Sequence, residues 1–164
     1  MWKYNKKKSQ TQSGFTLLES LVAITIFTFG VSASVGAVMH MLKSVPLVEN
    51  KVIAAHLAQE SIEIVRNIRD SNWIAGDVWD VNIPAGTGCV QYNQNSFDDL
   101  CVSYTLKSDG NYYSHDVVGG TDTIFSREIT ISYPVADEEM LVTSHVTCGQ
   151  NCNVLLEDHL FNWK

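Results

Sequence analysis

Apolar and polar positions divide the chain into three stretches. Residues 1–14, MWKYNKKKSQTQSG, are largely polar and carry Lys3, Lys6, Lys7 and Lys8 with no acid. Residues 15–41, FTLLESLVAITIFTFGVSASVGAVMHM, are apolar almost throughout, with Glu19 as the single formal charge. About 20 helical residues at ~1.5 Å each cross a hydrocarbon core of ~30 Å, so this run predicts a membrane-spanning helix. After Met41 the pattern becomes a stripe. Ile53, Leu57, Ile64, Val65 and Ile68 recur at the spacing of one helix face, and Ser61 fills a place in it. Pro46 predicts a bend or a short break, because it lacks an N–H. Asp70-Ser71-Asn72 offers stop chemistry, and Arg66 is spaced for an i,i+4 contact with Asp70. A helix running from residue 15 to about residue 70 would be roughly 80 Å long. Its stripe is expected to pack under a following domain.

From residue 73 onward the pattern shortens to alternating runs separated by Gly, Asn and Asp. Strands are expected near 88–94, 101–107, 111–116, 124–133, 140–148 and 152–160. In the clearest of them Phe125, Ile129, Ile131 and Tyr133 share one parity, as one buried face requires. Ser108-Asp109-Gly110-Asn111 reads as a tight hairpin turn, and Gly119-Gly120 as a loop. A long helix laid on an antiparallel sheet is an α+β architecture. The expected organisation is residues 1–14 as a basic leader, 15–41 as the apolar helix, 42–72 as its continuation, and 73–164 as a β-rich domain.

Composition adds a direction. The 164 residues hold 11 basic and 18 acidic side chains, a net charge of −7. All four leader lysines precede the apolar run, and only Lys43 follows closely. The positive-inside rule then puts the N-terminus in the cytoplasm and the C-terminal domain outside. That domain is acidic, which argues against nucleic-acid binding through bulk charge. With 45% apolar residues the chain as a whole is not disordered.

The small residues Ser13-Gly14 lie before the apolar core, whereas an ordinary secretory signal places its cleavage site after it. Any cut is therefore on the cytoplasmic side and leaves the helix in the mature protein. Glu19 sits about one turn into the run. A carboxylate inside a membrane helix costs roughly 2.5–3.5 kcal/mol. Two readings stand side by side. In one, Glu19 snorkels to the headgroups. In the other, it pairs with a partner such as a Phe15 α-amine freed on a neighbouring copy.

The string Gly14-Phe15-Thr16-Leu17-Leu18-Glu19-Ser20-Leu21-Val22-Ala23-Ile24 resembles the processing motif of type IV prepilins and type II secretion pseudopilins. The resemblance implies a pilin-like fold and cleavage between Gly14 and Phe15 by a membrane aspartic peptidase. It also implies N-methylation of Phe15 and an assembly role for Glu19. Other subunits, an inner-membrane assembly platform and lipid are the implied partners, with no cofactor. Many major pilins carry a Pro near the middle of the helix; here Gly30 and Gly36 stand in the run and no Pro does. The stretches Ala58–Trp73, Phe125–Ile131 and Leu156–Trp163 look like a PilV-type minor-pilin lineage. A minor pilin, a pseudopilin of a secretion piston and a solitary membrane-anchored binding domain are the three functions left open.

Four cysteines lie in the domain expected outside the cytoplasm, where disulfides are permitted. Cys89 with Cys101, and Cys148 with Cys152, close short loops, one of three possible connectivities. A metal set of His145, Cys148, Cys152 and His159 is the sharper alternative, but strand alternation sends His145 to the face opposite Cys148; no metal is expected. Nothing spells a catalytic motif. His40, His56, His115, His145 and His159 are scattered, and adjacent His115 and Asp116 would face opposite ways on a strand. Asp137-Glu138-Glu139 lacks the alternation of a calcium loop. No enzyme is expected.

Overall fold

The computed structural model describes residues 14, 16–149 and 152–163. Its elements are helix α1 (Leu17–Ala75) and strands β1 (Gly86–Gly88), β2 (Thr105–Ser108), β3 (Tyr113–Ser114), β4 (Thr121–Val135), β5 (Glu139–Cys148) and β6 (Asn153–Phe161). The chain divides into two compact units, one ending at Ser44 and one beginning at Val45.

In the first unit, the α1 residues 17–44 are exposed except for half-buried Ser20. A helix apolar on all sides needs an apolar solvent or a bundle of its own kind. By length and composition this one can cross a membrane.

In the second unit, α1 buries Ala54, Leu57, Ala58, Ser61, Ile62, Val65, Ile68, Arg69, Asn72 and Trp73. These recur every three or four residues, so the stripe is core packing, with Ile53 and Ile64 at its margins. Facing it are Ile129 and Ile131 of β4, Met140 and Val142 of β5 and Leu160 of β6. A second cluster joins Ala54, Leu57 and Ala58 to Leu106, Phe125 and Val146. The sheet is antiparallel with strand order β3-β2-β4-β5-β6, and β1 also pairs with β4. The architecture is α+β and pilin-like: one long N-terminal helix packed on a C-terminal antiparallel sheet.

Several local expectations differ from the structure. The helix does not stop at Asn72. It runs to Ala75 and closes with a Schellman motif, in which Asp77 N–H donates to Asn72 O and Gly76 N–H to Trp73 O. Gly76 has φ of 82°, the left-handed conformation that glycine adopts without a Cβ penalty. Asn72 is buried and donates from Nδ2 to the carbonyls of Trp79 and Val81, so its side chain holds the following turn rather than ending the helix. Pro46 stands inside α1 without terminating it. Arg66 does not pair with Asp70. It reaches Glu63 and, across the fold, Asp158 on β6 at 2.7 Å, while Asp70 binds Arg69.

Residues 89–104 are not the two strands the alternation suggested. They form a loop tied by the Cys89–Asp98 bridge, and β2 begins only at Thr105. Backbone there approaches so closely that a Cβ on Gly88 would meet Asp98 O at 2.0 Å. The Ser108–Asn111 turn joins β2 to β3 as expected, and Asp109 Oδ1 accepts the Asn111 N–H at 2.9 Å.

Candidate functional site

At the N-terminus, helix α1 begins immediately after Thr16. Thr16 Oγ1 accepts the Glu19 N–H at 3.3 Å, and the Thr16 carbonyl accepts the Ser20 N–H at 3.1 Å. Thr16 is therefore the N-cap and Glu19 the third helical residue. Thr-x-x-Glu is the sequence of a capping box. Glu19 also lies in the first turn, where the helix dipole favours a carboxylate by ~0.3–1 kcal/mol when exposed. Its position thus has a local cause besides any partner. The spelling was present in the sequence, and reading Glu19 only against the membrane missed it. Gly14 is exposed, and a Cβ added there would meet nothing within 4 Å. Phe15, the expected methylation site, and leader residues 1–13 lie outside the described residues.

The four cysteines form two disulfides, Cys89–Cys101 with Cα atoms 5.6 Å apart and Cys148–Cys152 with Cα atoms 4.9 Å apart. Loops of this length give about 2–3 kcal/mol each in the chain-entropy model. The alternative metal set is not assembled. His145 Nε2 contacts Asn153 Oδ1 at 2.7 Å, and His159 Nδ1 contacts Glu139 Oε1 at 2.5 Å. Both partners lie across strand pairs, which turns each imidazole to its own neighbour.

Two interior features escaped the sequence reading. The first is Arg127 on β4, 1% exposed and among the largest fully buried side chains. Its Nη1 lies 3.2 Å from Glu60 Oε2 and 3.4 Å from Leu57 O on α1; its Nη2 donates to Val90 O at 3.0 Å. One guanidinium fork thus joins sheet, helix and loop. Burial lowers its pKa from the ordinary guanidinium value, and Glu60 opposes that shift. Period-2 parity alone would have found it, because Arg127 lies between Phe125 and Ile129 on the core face.

The second is His115, 9% exposed in a cleft beside the Cys89–Cys101 bond. Its Nδ1 lies 3.1 Å from Ser103 O. A carbonyl only accepts, so Nδ1 carries the proton and Nε2 keeps a lone pair. Burial, helped by the Arg127 charge, lowers its pKa to about 4, so the ring is neutral at neutral pH. Asp116 does not orient it; Asp116 instead accepts from Gln91 Nε2 at 2.9 Å. His115 and Asp116 thus make no base and orienter pair.

The chain matches the family model of the prokaryotic N-terminal methylation motif over residues 9–35. No characterised protein and no solved structure matches it significantly. The matched residues contain Gly14, Thr16 and Glu19, and the motif implies processing by a prepilin peptidase. The apolar helix with this motif is consistent with a membrane-anchored pilin. A prepilin-type methylation motif over residues 9–35 thus stands ahead of a pilin-like α+β fold, in which one long N-terminal helix packs on an antiparallel sheet.

Proposed function

We propose that this protein is a minor pilin, co-assembled in small numbers into a type IV pilus to help its initiation, display or adhesion. The basic leader, residues 1–14, is removed between Gly14 and Phe15 by a prepilin peptidase, which methylates the new Phe15 amine. The apolar helix holds the precursor in the cytoplasmic membrane with its N-terminus inside and its β-rich domain outside. On assembly that helix exchanges lipid for the helices of other pilin subunits at the inner-membrane platform. One observation carries this reading. Thr16 and Glu19 open a helix whose residues 21–49 are all exposed, including Phe27 at 71% and Phe29 at 75%. So much bare apolar surface needs lipid or other helices around it. The minor-pilin subtype is supported by the resemblance of the Ala58–Trp73, Phe125–Ile131 and Leu156–Trp163 stretches.

Glu19→Ala tests the mechanism. The cap bond uses the backbone N–H of residue 19, which alanine keeps, so the helix start survives. Membrane insertion and cutting are expected to stay at wild-type level. Incorporation beside wild-type subunits is expected to fall by about tenfold or more, in line with loss of a carboxylate–amine pair in an apolar setting. Immunoblots of sheared filaments against membrane fractions measure it. Equal incorporation of the two chains would remove Glu19 from the assembly step.

A further inference from the structure

The loop closed by Cys89–Cys101 has an unexplained chemical surrounding. The bond lines a cleft of about 190 Å³ together with His115, Gln91, Asp98 and Asp116. Both cysteine sulfurs and a ring nitrogen of His115 lie within 4.8 Å of one another. The Ser103 carbonyl oxygen sits among them, 3.2 Å from Cys101 Sγ and 3.1 Å from His115 Nδ1. Among the described residues, His115 Nε2 is buried with no hydrogen-bond partner. Leaving an imidazole nitrogen dry and unpaired is costly, so it calls for a reason. Among the described residues the second cysteine pair offers no such set: Cys148 and Cys152 have Cα atoms 4.9 Å apart, and His145 is held by Asn153.

We propose that in the dithiol state Cys89, Cys101 and His115 bind one thiophilic divalent metal ion, of the zinc class, in place of the disulfide. Two thiolates and an imidazole are a recognised zinc donor set, completed by an oxygen or water as fourth ligand. The Nδ1–H bond to a backbone carbonyl is the outer contact that commonly fixes a ligating histidine. The chain is made with thiols, so the metal can bind before any oxidation: two Cys–SH and one Zn²⁺ give the bis-thiolate complex and two protons. From the oxidised protein, a dithiol reductant must first supply two electrons and two protons, becoming a disulfide itself while the Cys89–Cys101 bond breaks into two thiols. Metal and disulfide are then alternative closures of the same loop, chosen by redox conditions. The site does not depend on the pilin reading.

The test uses the full chain in detergent, reduced with a water-soluble phosphine. With Zn²⁺ present, Cys89 and Cys101 of the wild-type protein should alkylate at least about tenfold more slowly than without it, while Cys148 and Cys152 change little. Peptide mass spectrometry reads all four sites in one sample, so no variant is needed. Cobalt(II) is the second probe. It should give one thiolate-to-metal absorption band per chain that disappears in Cys89→Ser/Cys101→Ser. Affinity should weaken about tenfold or more in His115→Ala, and the band should persist in Cys148→Ser/Cys152→Ser. Equal protection of all four cysteines, no protection, or unchanged cobalt affinity in His115→Ala would overturn the proposal.

Discussion

Arg127→Ala is expected to destabilise the β-domain by about 3–5 kcal/mol, while Arg127→Met loses distinctly less. The alanine variant removes the donor for Val90 O, the link to Leu57 O and the counter-charge of Glu60 in one step. It also opens a cavity under a strand that forms the middle of the sheet, since β4 pairs with β5 on one side and with β1 and β2 on the other. The Val90 carbonyl, left without its donor, costs roughly 1–3 kcal/mol, and the lost packing and charge pair supply the rest, while Leu57 O keeps its helical N–H partner. Glu60 contributes the smaller share, because its side chain is 38% exposed and water can take over part of its solvation. Methionine keeps the packed stem and carries no charge to desolvate, so what remains is chiefly the Val90 carbonyl. Lysine keeps the charge but not the fork, and cannot reach the acceptors on α1 and in the loop at once. Trp79, 3% exposed, and Trp73, 9% exposed, make urea unfolding of the full chain in micelles readable by fluorescence. If the alanine variant unfolds within ~1 kcal/mol of wild type, or alanine and methionine coincide, the fork is not what ties these elements together.

The same residue shows where the sequence stopped being legible. Residue type, not position, hid it: the alternation that placed Phe125, Ile129 and Ile131 on the core face puts Arg127 there too, but an arginine is expected at the surface unless its partners are known. Those partners are supplied by Leu57, Glu60 and Val90, which are distant in sequence. Arg66 is a second case. The helix offered it Asp70 one turn on, and β6 supplied Asp158. The stripe on α1 and the long strands β4, β5 and β6 were legible, because burial on one face imposes a period that side chains must obey. The loop from Cys89 to Tyr104 was not. Its alternation is that of a strand, but a disulfide and the single Cys89–Asp98 bridge organise it in place of a ladder. The burial of His115 follows from that loop folding over it, which no local pattern encodes. At the N-terminus, by contrast, Thr16-x-x-Glu19 spelled its own cap.

Gly14→Val is expected to leave the chain essentially all as uncut precursor, still inserted in the membrane. The fold makes this an unusually clean experiment. A Cβ at residue 14 meets nothing within 4 Å, and the helix cap is formed two residues later by Thr16. The substitution therefore removes no contact and no hydrogen bond that the folded domain uses, and its stability should match wild type within about 0.5 kcal/mol. Any loss of cutting then belongs to recognition by the peptidase, which must fit the chain around its scissile bond. Intact-mass and N-terminal peptide spectra, taken after co-expression with the native prepilin peptidase, distinguish the forms directly. Wild type should begin at Phe15 with one added methyl group; Gly14→Val should begin upstream of it and carry none. Normal processing of the valine chain would refute the assigned bond. A wild-type chain left uncut by its own peptidase would refute the minor-pilin reading itself, and a solitary membrane-anchored domain would take its place. Should both forms be cut at another bond, the methylated residue would name it. Thr16 would then still cap the helix, but the freed amine would no longer lie four residues before Glu19, and the pairing proposed for assembly would lose its geometry.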